Sequence, residues 1–236
     1  MDQSQIDALR GTTIAPQRLL SDGEHRAAES GETDEVSSPL NGRVLTQMAS
    51  AGRADADLAV TAARRAFEDK RWRGMAPAAR KKIMLRWADL IEAEALALAV
   101  MGVRNNGTEI GMAMRAEPGS AVATRRYYAE AIDKLYNEIA PTAGDVMGLI
   151  HREPVGVVAA IIPWNFPLMI GAWKLGPALA AGNSVVLQPS ETASLSLIRI
   201  AELALEAGLP PGVLNVVTGP GAVVGDALAR SMDVDV

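Results

Sequence analysis

The chain has 236 residues, a formal net charge of −5 and no cysteine. That length holds a full hydrophobic core and allows one large or two small domains. The acidic balance, broken only by short basic pairs such as Arg64-Arg65 and Lys81-Lys82, excludes an extended nucleic-acid surface, and the missing cysteines exclude disulfides and thiolate metal sites.

Residues 1–17 are polar and without periodicity, and read as a tail or arm; no basic segment leads into an apolar one, so secretion is not signalled. Arg18 to Ala28, with Ser21-Asp22-Gly23 at its centre, predicts a hairpin around an Asp-Gly turn. A further strand pair is expected at Thr33–Val36 and Arg43–Ala49, joined by Pro39-Leu40-Asn41-Gly42. From Asp55, an N-cap candidate, to Lys70, apolar residues recur at helical spacing at Leu58, Ala62, Ala66 and Phe67. Pro77 suits the first position of a long helix to Met101, with Ile83, Leu90, Ile91 and Leu98 inward, before Asn105-Asn106-Gly107 interrupts it. A third helix is expected from Pro118 to Glu138, burying Val122, Tyr128, Ile132 and Leu135. Residues 139–153, broken by Pro141, Gly144 and Gly148, read as an extended hairpin leaving this layer.

The apolar run Val155–Ile162 is β-branched and too short for a typical helix, which predicts a strand buried on both faces of a parallel sheet. Pro163 stops it. Leu168–Ala181 follows as an apolar helix with Gly182 at its left-handed cap, and Ser184–Gln188 is the next strand, completing a βαβ unit. Val155 to Leu187 is apolar enough to imitate a membrane span, but Lys174 near its middle costs about 3 kcal/mol on insertion scales and Pro163, Pro167 and Pro177 fragment it. The expectation is a soluble cytoplasmic protein with no membrane partner. Thr192–Ala207 repeats the helix pattern with Leu195, Ile198, Leu203 and Leu205, Gly208 closes it, Pro210-Pro211-Gly212 turns, and Val213–Val217 is the next strand. Gly219, Gly221 and Gly225 open a helix to Arg230, and Asp233–Val236 enters another strand, where the chain stops as a truncated one would.

Ligands of open parallel sheets sit at the carboxyl ends of strands, so Pro163, Trp164, Asn165 and Phe166, with Pro189, Ser190 and Glu191 one strand over, are where chemistry is expected. Three segments there, IIPWNFP, WKLGPALAAGNSVV and PSE, agree in order and spacing with one family. From about Leu20 to the last residue the chain resembles the cofactor domain of the NAD(P)-dependent aldehyde dehydrogenases. The resemblance implies an α/β fold: a Rossmann-like parallel sheet with flanking helices, preceded by a helical layer and hairpins and incomplete relative to the whole enzyme. It also implies an organisation of tail (1–17), hairpin and helical layer (18–138), oligomerisation-type hairpin (139–154) and NAD-binding sheet (155–236).

An Asn165 amide beside a buried strand can donate into a water-poor crevice, which is what a developing oxyanion requires; the alternative is an Asn satisfying its own turn. By resemblance it is the oxyanion-hole asparagine. Trp164 reads equally as a wall of the cofactor or substrate channel and as a core aromatic. Ile162 and Pro163 are similar to positions whose backbone lines the cofactor. A lone Lys174 on an apolar helix commonly snorkels, whereas the resemblance gives it a relay role near the active site, where burial would lower its pKa. Glu191 can accept both hydroxyls of an adenosine ribose and repel a 2′-phosphate, or simply sit at a helix N-terminus. Gln188 departs from the lysine usual in the family, which keeps hydrogen bonding, removes a cation and favours NAD over NADP. The run Gly219 to Gly225 is GxGxxxG, a weak signal in which Gly221 and Gly225 suit close approach of a cofactor's adenine end, and Gly225 equally suits helix–strand packing.

The resemblance further implies NAD-dependent oxidation of a small aldehyde to its acid by a homo-oligomeric parent enzyme, a dimer or tetramer. The segment YYAEAIDKLYNEIAP is similar to enzymes of γ-glutamyl-aminobutyraldehyde and other aminoaldehydes. Such chemistry needs a cysteine nucleophile and a glutamate base, which are expected beyond Val236, so this chain alone is expected to be inactive. The rival expectation is a non-catalytic nucleotide-binding or assembly module with a vestigial site. No metal site is expected.

Overall fold

The computed structural model describes residues 2–236. At its centre is a five-stranded sheet in the order β2-β1-β9-β8-β7, formed by β1 (Leu19–Ser21), β2 (Glu24–Arg26), β7 (Val157–Ile162), β8 (Ser184–Pro189) and β9 (Leu214–Val216). The last three are mutually parallel, while β1 runs antiparallel to both β9 and β2. The β1–β2 turn uses Asp22 and Gly23, both at positive φ (53° and 82°), the combination that matches the right-handed twist of a tight hairpin. Two further antiparallel pairs stand apart: β3 (Thr33–Ser37) with β4 (Val44–Ala49), and β5 (Glu138–Ala140) with β6 (Gly148–Ile150).

The sheet separates two cores because side chains alternate across a strand. On β8, Val185 and Leu187 join the larger core, shared with α7 (Pro167–Ala181), α8 (Leu195–Ala207), α3 (Pro77–Ala93) and α6 (Pro118–Ala131); Val186 between them joins the smaller core under α2 (Arg53–Glu68) and α9 (Gly221–Arg230). Two buried tryptophans tie the helical layer to the βαβ helices. Trp72 Nε1 donates to the Leu179 carbonyl at 2.8 Å and Trp87 Nε1 to that of Ile200 at 2.7 Å. Each indole thereby buries a large apolar surface without orphaning its N–H.

Several expectations need correction. Residues 3–11 are not an irregular tail but a helix, α1 (Gln3–Gly11), whose N-terminus is capped by Asp2 accepting from the Ser4 amide at 3.0 Å. Asp55 is the third residue inside α2 and not its cap: its carboxylate accepts the Gly52 and Glu29 amides, both at 2.9 Å, which holds it buried. The long helix from Pro77 breaks at Glu94 (φ −98°, ψ 11°), and α4 (Ala95–Asn106) restarts there and ends on left-handed Gly107. A short helix, α5 (Ile110–Ala116), was not expected, and α6 stops at Ala131, leaving Leu135 exposed. The strand β7 is not buried on both faces, since Ile161 is half exposed, and it is the edge of the five-stranded order. Backbone bonds nevertheless begin to extend the sheet beyond it, from the Ala159 amide to the Val236 carbonyl (2.7 Å) and from the Val236 amide to the Val157 carbonyl (3.3 Å). Among the described residues, no helix is long and apolar enough to cross a membrane.

Candidate functional site at the carboxyl rim of the sheet

The parallel register sets Ile162 of β7 beside Pro189 of β8, and the Ser190 amide donates to the Ile162 carbonyl at 2.9 Å, so the chain leaves both strands at one rim. Asn165 and Glu191 therefore emerge on the same side of the sheet, and both are exposed. On this rim lies a groove of about 340 Å³ lined by Ile161, Ile162, Pro163, Gln188, Pro189, Ser190, Glu191 and Gly221, with Asn165 outside its lining. All but Ile161 and Pro189 are residues the sequence marked for cofactor binding. Below this lining, Gly225 packs so closely on Gln188 that a Cβ there would stand 3.0 Å from the glutamine Oε1. Gln188 is 2% exposed and this Oε1 is buried without a hydrogen-bond partner among the described residues. A buried acceptor left unpaired is costly unless a ligand or solvent group completes it. Gly221 begins α9, where first-turn amides lack helical partners, and open space lies above its Cα.

The remaining marked residues lie elsewhere along the rim. Trp164, 61% exposed, does not line the groove but a second hollow of about 450 Å³ with Ser37, Ser38, Pro39, Asn105, Asn106 and Thr192. The Asn165 side chain makes no hydrogen bond among the described residues, so its amide is not consumed by its own turn. Lys174 is not buried: it stands exposed on α7, about two helical turns from the rim.

Two side chains that the sequence reading passed over hold the rim in place. Asn105, buried at the end of α4, donates to the Thr192 carbonyl at 3.2 Å and accepts from the Leu195 amide at 3.1 Å, bracketing the segment just after Glu191. Glu117, buried between α5 and α6, accepts the Leu168 and Met169 amides at the start of α7. Burial pushes its carboxyl up to about 7, outweighing the two amides that favour the charged form. No local pattern marks either residue, since each partner is far away in the chain. Arg125, also fully buried, stacks 3.9 Å from the Trp87 ring centroid, and burial draws its guanidinium down to about 9.

A parallel α/β layer with a groove at its carboxyl rim, glycines beneath it and a carboxylate at its edge is the architecture of a dinucleotide-binding domain. The aldehyde dehydrogenase family matches residues 25–236, and the chain belongs to that family. It is 50% identical over 218 residues to the NADP/NAD-dependent aldehyde dehydrogenase PuuC of Escherichia coli K12, covering 92% of this chain and 44% of that protein. Among solved structures it is similar to the indole-3-acetaldehyde dehydrogenase of P. syringae in complex with NAD+ and IAA, with TM-score 0.96 and 48% identity over 100% of this chain and 48% of that one. It is likewise similar to the gamma-glutamyl-gamma-aminobutyraldehyde dehydrogenase of Burkholderia cenocepacia, with TM-score 0.96 and 46% identity over 100% of this chain and 48% of the other. The chain thus spans about half the length of the proteins it matches.

Proposed function

We propose that this chain is the cofactor-binding half of an enzyme that oxidises an aldehyde to a carboxylic acid with NAD. The observation that carries the reading is the groove in which Gln188, Ser190, Glu191 and Gly221 meet on the rim that also bears Asn165. The unpaired Gln188 oxygen, the glycine beneath it and the open start of α9 fit the adenosine end of a dinucleotide. Glu191 accepts the ribose hydroxyls, Gln188 and Ser190 add polar contacts, and Ile162 and Pro163 give the wall its shape; Gly221 and Gly225 leave room for close approach. When bound, NAD supplies the hydride acceptor. The carboxylate and the absence of a cation at Gln188 favour NAD over NADP.

Asn165 contributes the amide that donates to the oxygen of the attacked carbonyl, whereas Lys174, exposed about two helical turns along α7, stands too far from it to relay a proton directly. Trp164 walls the neighbouring hollow. The thiolate chemistry of such an oxidation is not carried by these residues, which contain no cysteine, so the chain alone binds cofactor without turning over aldehyde. The substrate is a small aldehyde, and an aminoaldehyde agrees with the Tyr127–Pro141 segment and with the name of the Burkholderia relative. Self-association through β5 and β6 is supported by the exposure of Ile139, Val146, Met147 and Leu149 on that hairpin. A cytoplasmic location is the matching proposal. Calorimetric titration with NAD+ and NADP+ tests the cofactor reading: saturable binding that prefers NAD+ is expected, and no binding of either defeats it.

A further inference from the structure

The start of α7 has an unusual set of needs. Its N-cap, Phe166, offers no side-chain acceptor, and Pro167 at the first helical position has no N–H. The Ile170 amide already donates to the Phe166 carbonyl at 2.9 Å, which leaves the Leu168 and Met169 amides as the orphans of this turn. Both donate to one atom from another part of the chain, Glu117 Oε2, at 2.7 and 3.1 Å. The backbone of Glu117 is itself held on both sides, its amide donating to the Ala113 carbonyl at 3.1 Å and its carbonyl accepting from the Ala121 amide at 3.0 Å.

The segment between Ile162 and Pro167 is thus suspended from two anchors, the end of β7 and the Glu117 carboxylate, and Asn165 lies within it. We propose that Glu117 is the positioning residue of the Asn165 segment, clamping the first turn of α7 so that the amide is held at the sheet rim. The proposal rests on the oxyanion reading of Asn165 only for its catalytic meaning; the clamp itself is a matter of geometry. The cations on the elements around it, Arg115 on α5, Arg125 and Arg126 on α6 and Lys174 on α7, form no ion pair with Glu117 among the described residues. Arg126 is committed to Asp89 and Glu92, and Arg125 to the Trp87 face. With Oε1 buried and unpartnered, and the carboxyl pushed up to about 7, the clamp changes charge in the neutral range.

The experiment follows the chain by NMR from pH 5 to 9, reading exchange of the Leu168 and Met169 amides and the side-chain amide resonance of Asn165. In the unsubstituted chain the Asn165 resonance should titrate with a midpoint near 7. Glu117→Gln, which keeps an acceptor and removes the charge, should retain amide protection but flatten that titration. Glu117→Ala should speed exchange at both amides about tenfold, the effect of losing one cap. A flat Asn165 titration in the unsubstituted chain, or one that persists in Glu117→Gln, overturns the proposal, as does unchanged exchange in a folded Glu117→Ala chain. Should Glu117→Ala fail to fold, the Glu117→Gln comparison decides alone. These readouts report the segment and not turnover, so their failure is distinct from failure of the oxyanion reading, which Asn165→Ala addresses through kcat.

Discussion

Glu191→Ala is the sharpest test of the cofactor groove. The residue is exposed and makes no side-chain hydrogen bond among the described residues, so its removal breaks no contact of the fold. The rim around it is held by other bonds: the Ser190 amide to the Ile162 carbonyl, and Asn105 to Thr192 and Leu195. Stability should therefore change by no more than about 0.5 kcal/mol, the range of ordinary surface substitutions. Affinity should change more. A carboxylate that accepts both hydroxyls of a ribose makes two charge-assisted hydrogen bonds, worth about 1.5–3 kcal/mol each when desolvated. The groove is open to water, so a total near 2 kcal/mol is the reasonable figure, which corresponds to roughly a thirtyfold rise in Kd. The affinity for NADP+ should hold or improve, because the same carboxylate repels a 2′-phosphate. Calorimetric titration of both cofactors, with urea unfolding as the control, checks this. An NAD+ affinity within twofold of the unsubstituted chain, at unchanged stability, would refute the assignment of Glu191 to the ribose.

Gln188→Lys should shift preference toward NADP+ about tenfold by placing a cation at the groove floor, read from the ratio of the two dissociation constants. In an enzyme that joins this chain to a cysteine-bearing half, Asn165→Ala should lower kcat by about 10² to 10³ while leaving NAD+ affinity in place, measured by steady-state kinetics and titration. Glu117 also links the fold to pH. Its carboxyl is raised from 4.5 to about 7, so the contribution it makes is fully present below 4.5 and is lost as pH rises through 7, by at most about 3 kcal/mol. Urea unfolding at pH 5 and at pH 8 should accordingly show Glu117→Gln gaining stability relative to the unsubstituted chain at the higher pH; an equal difference at both values would contradict the buried, titrating carboxyl.

Local patterns carried much of the architecture. The Asp22-Gly23 turn, the Gly182 and Gly208 helix ends and the βαβ alternation from Val157 to Pro189 are dictated by steric preference and by hydrophobic period over a few residues, and each lies where those signals put it. The same signals failed where a distant contact outbid them. A continuous helical pattern did not reveal the break at Glu94, whose carboxylate pairs with Arg199 of α8 at 2.5 Å. Nor did alternation reveal that β7 would sit at the sheet edge with Ile161 turned to the groove. Motif and spacing were enough to select the rim residues, from Ile162 to Asn165 and from Gln188 to Glu191, because strand ends are local features. Only tertiary structure could decide which of them share a groove, place Trp164 in another hollow and leave Lys174 exposed. It alone brought Glu117 and Asn105 to the starts of α7 and α8, since an orphaned helix amide can be satisfied by any acceptor the fold delivers, and nothing in the local sequence says which.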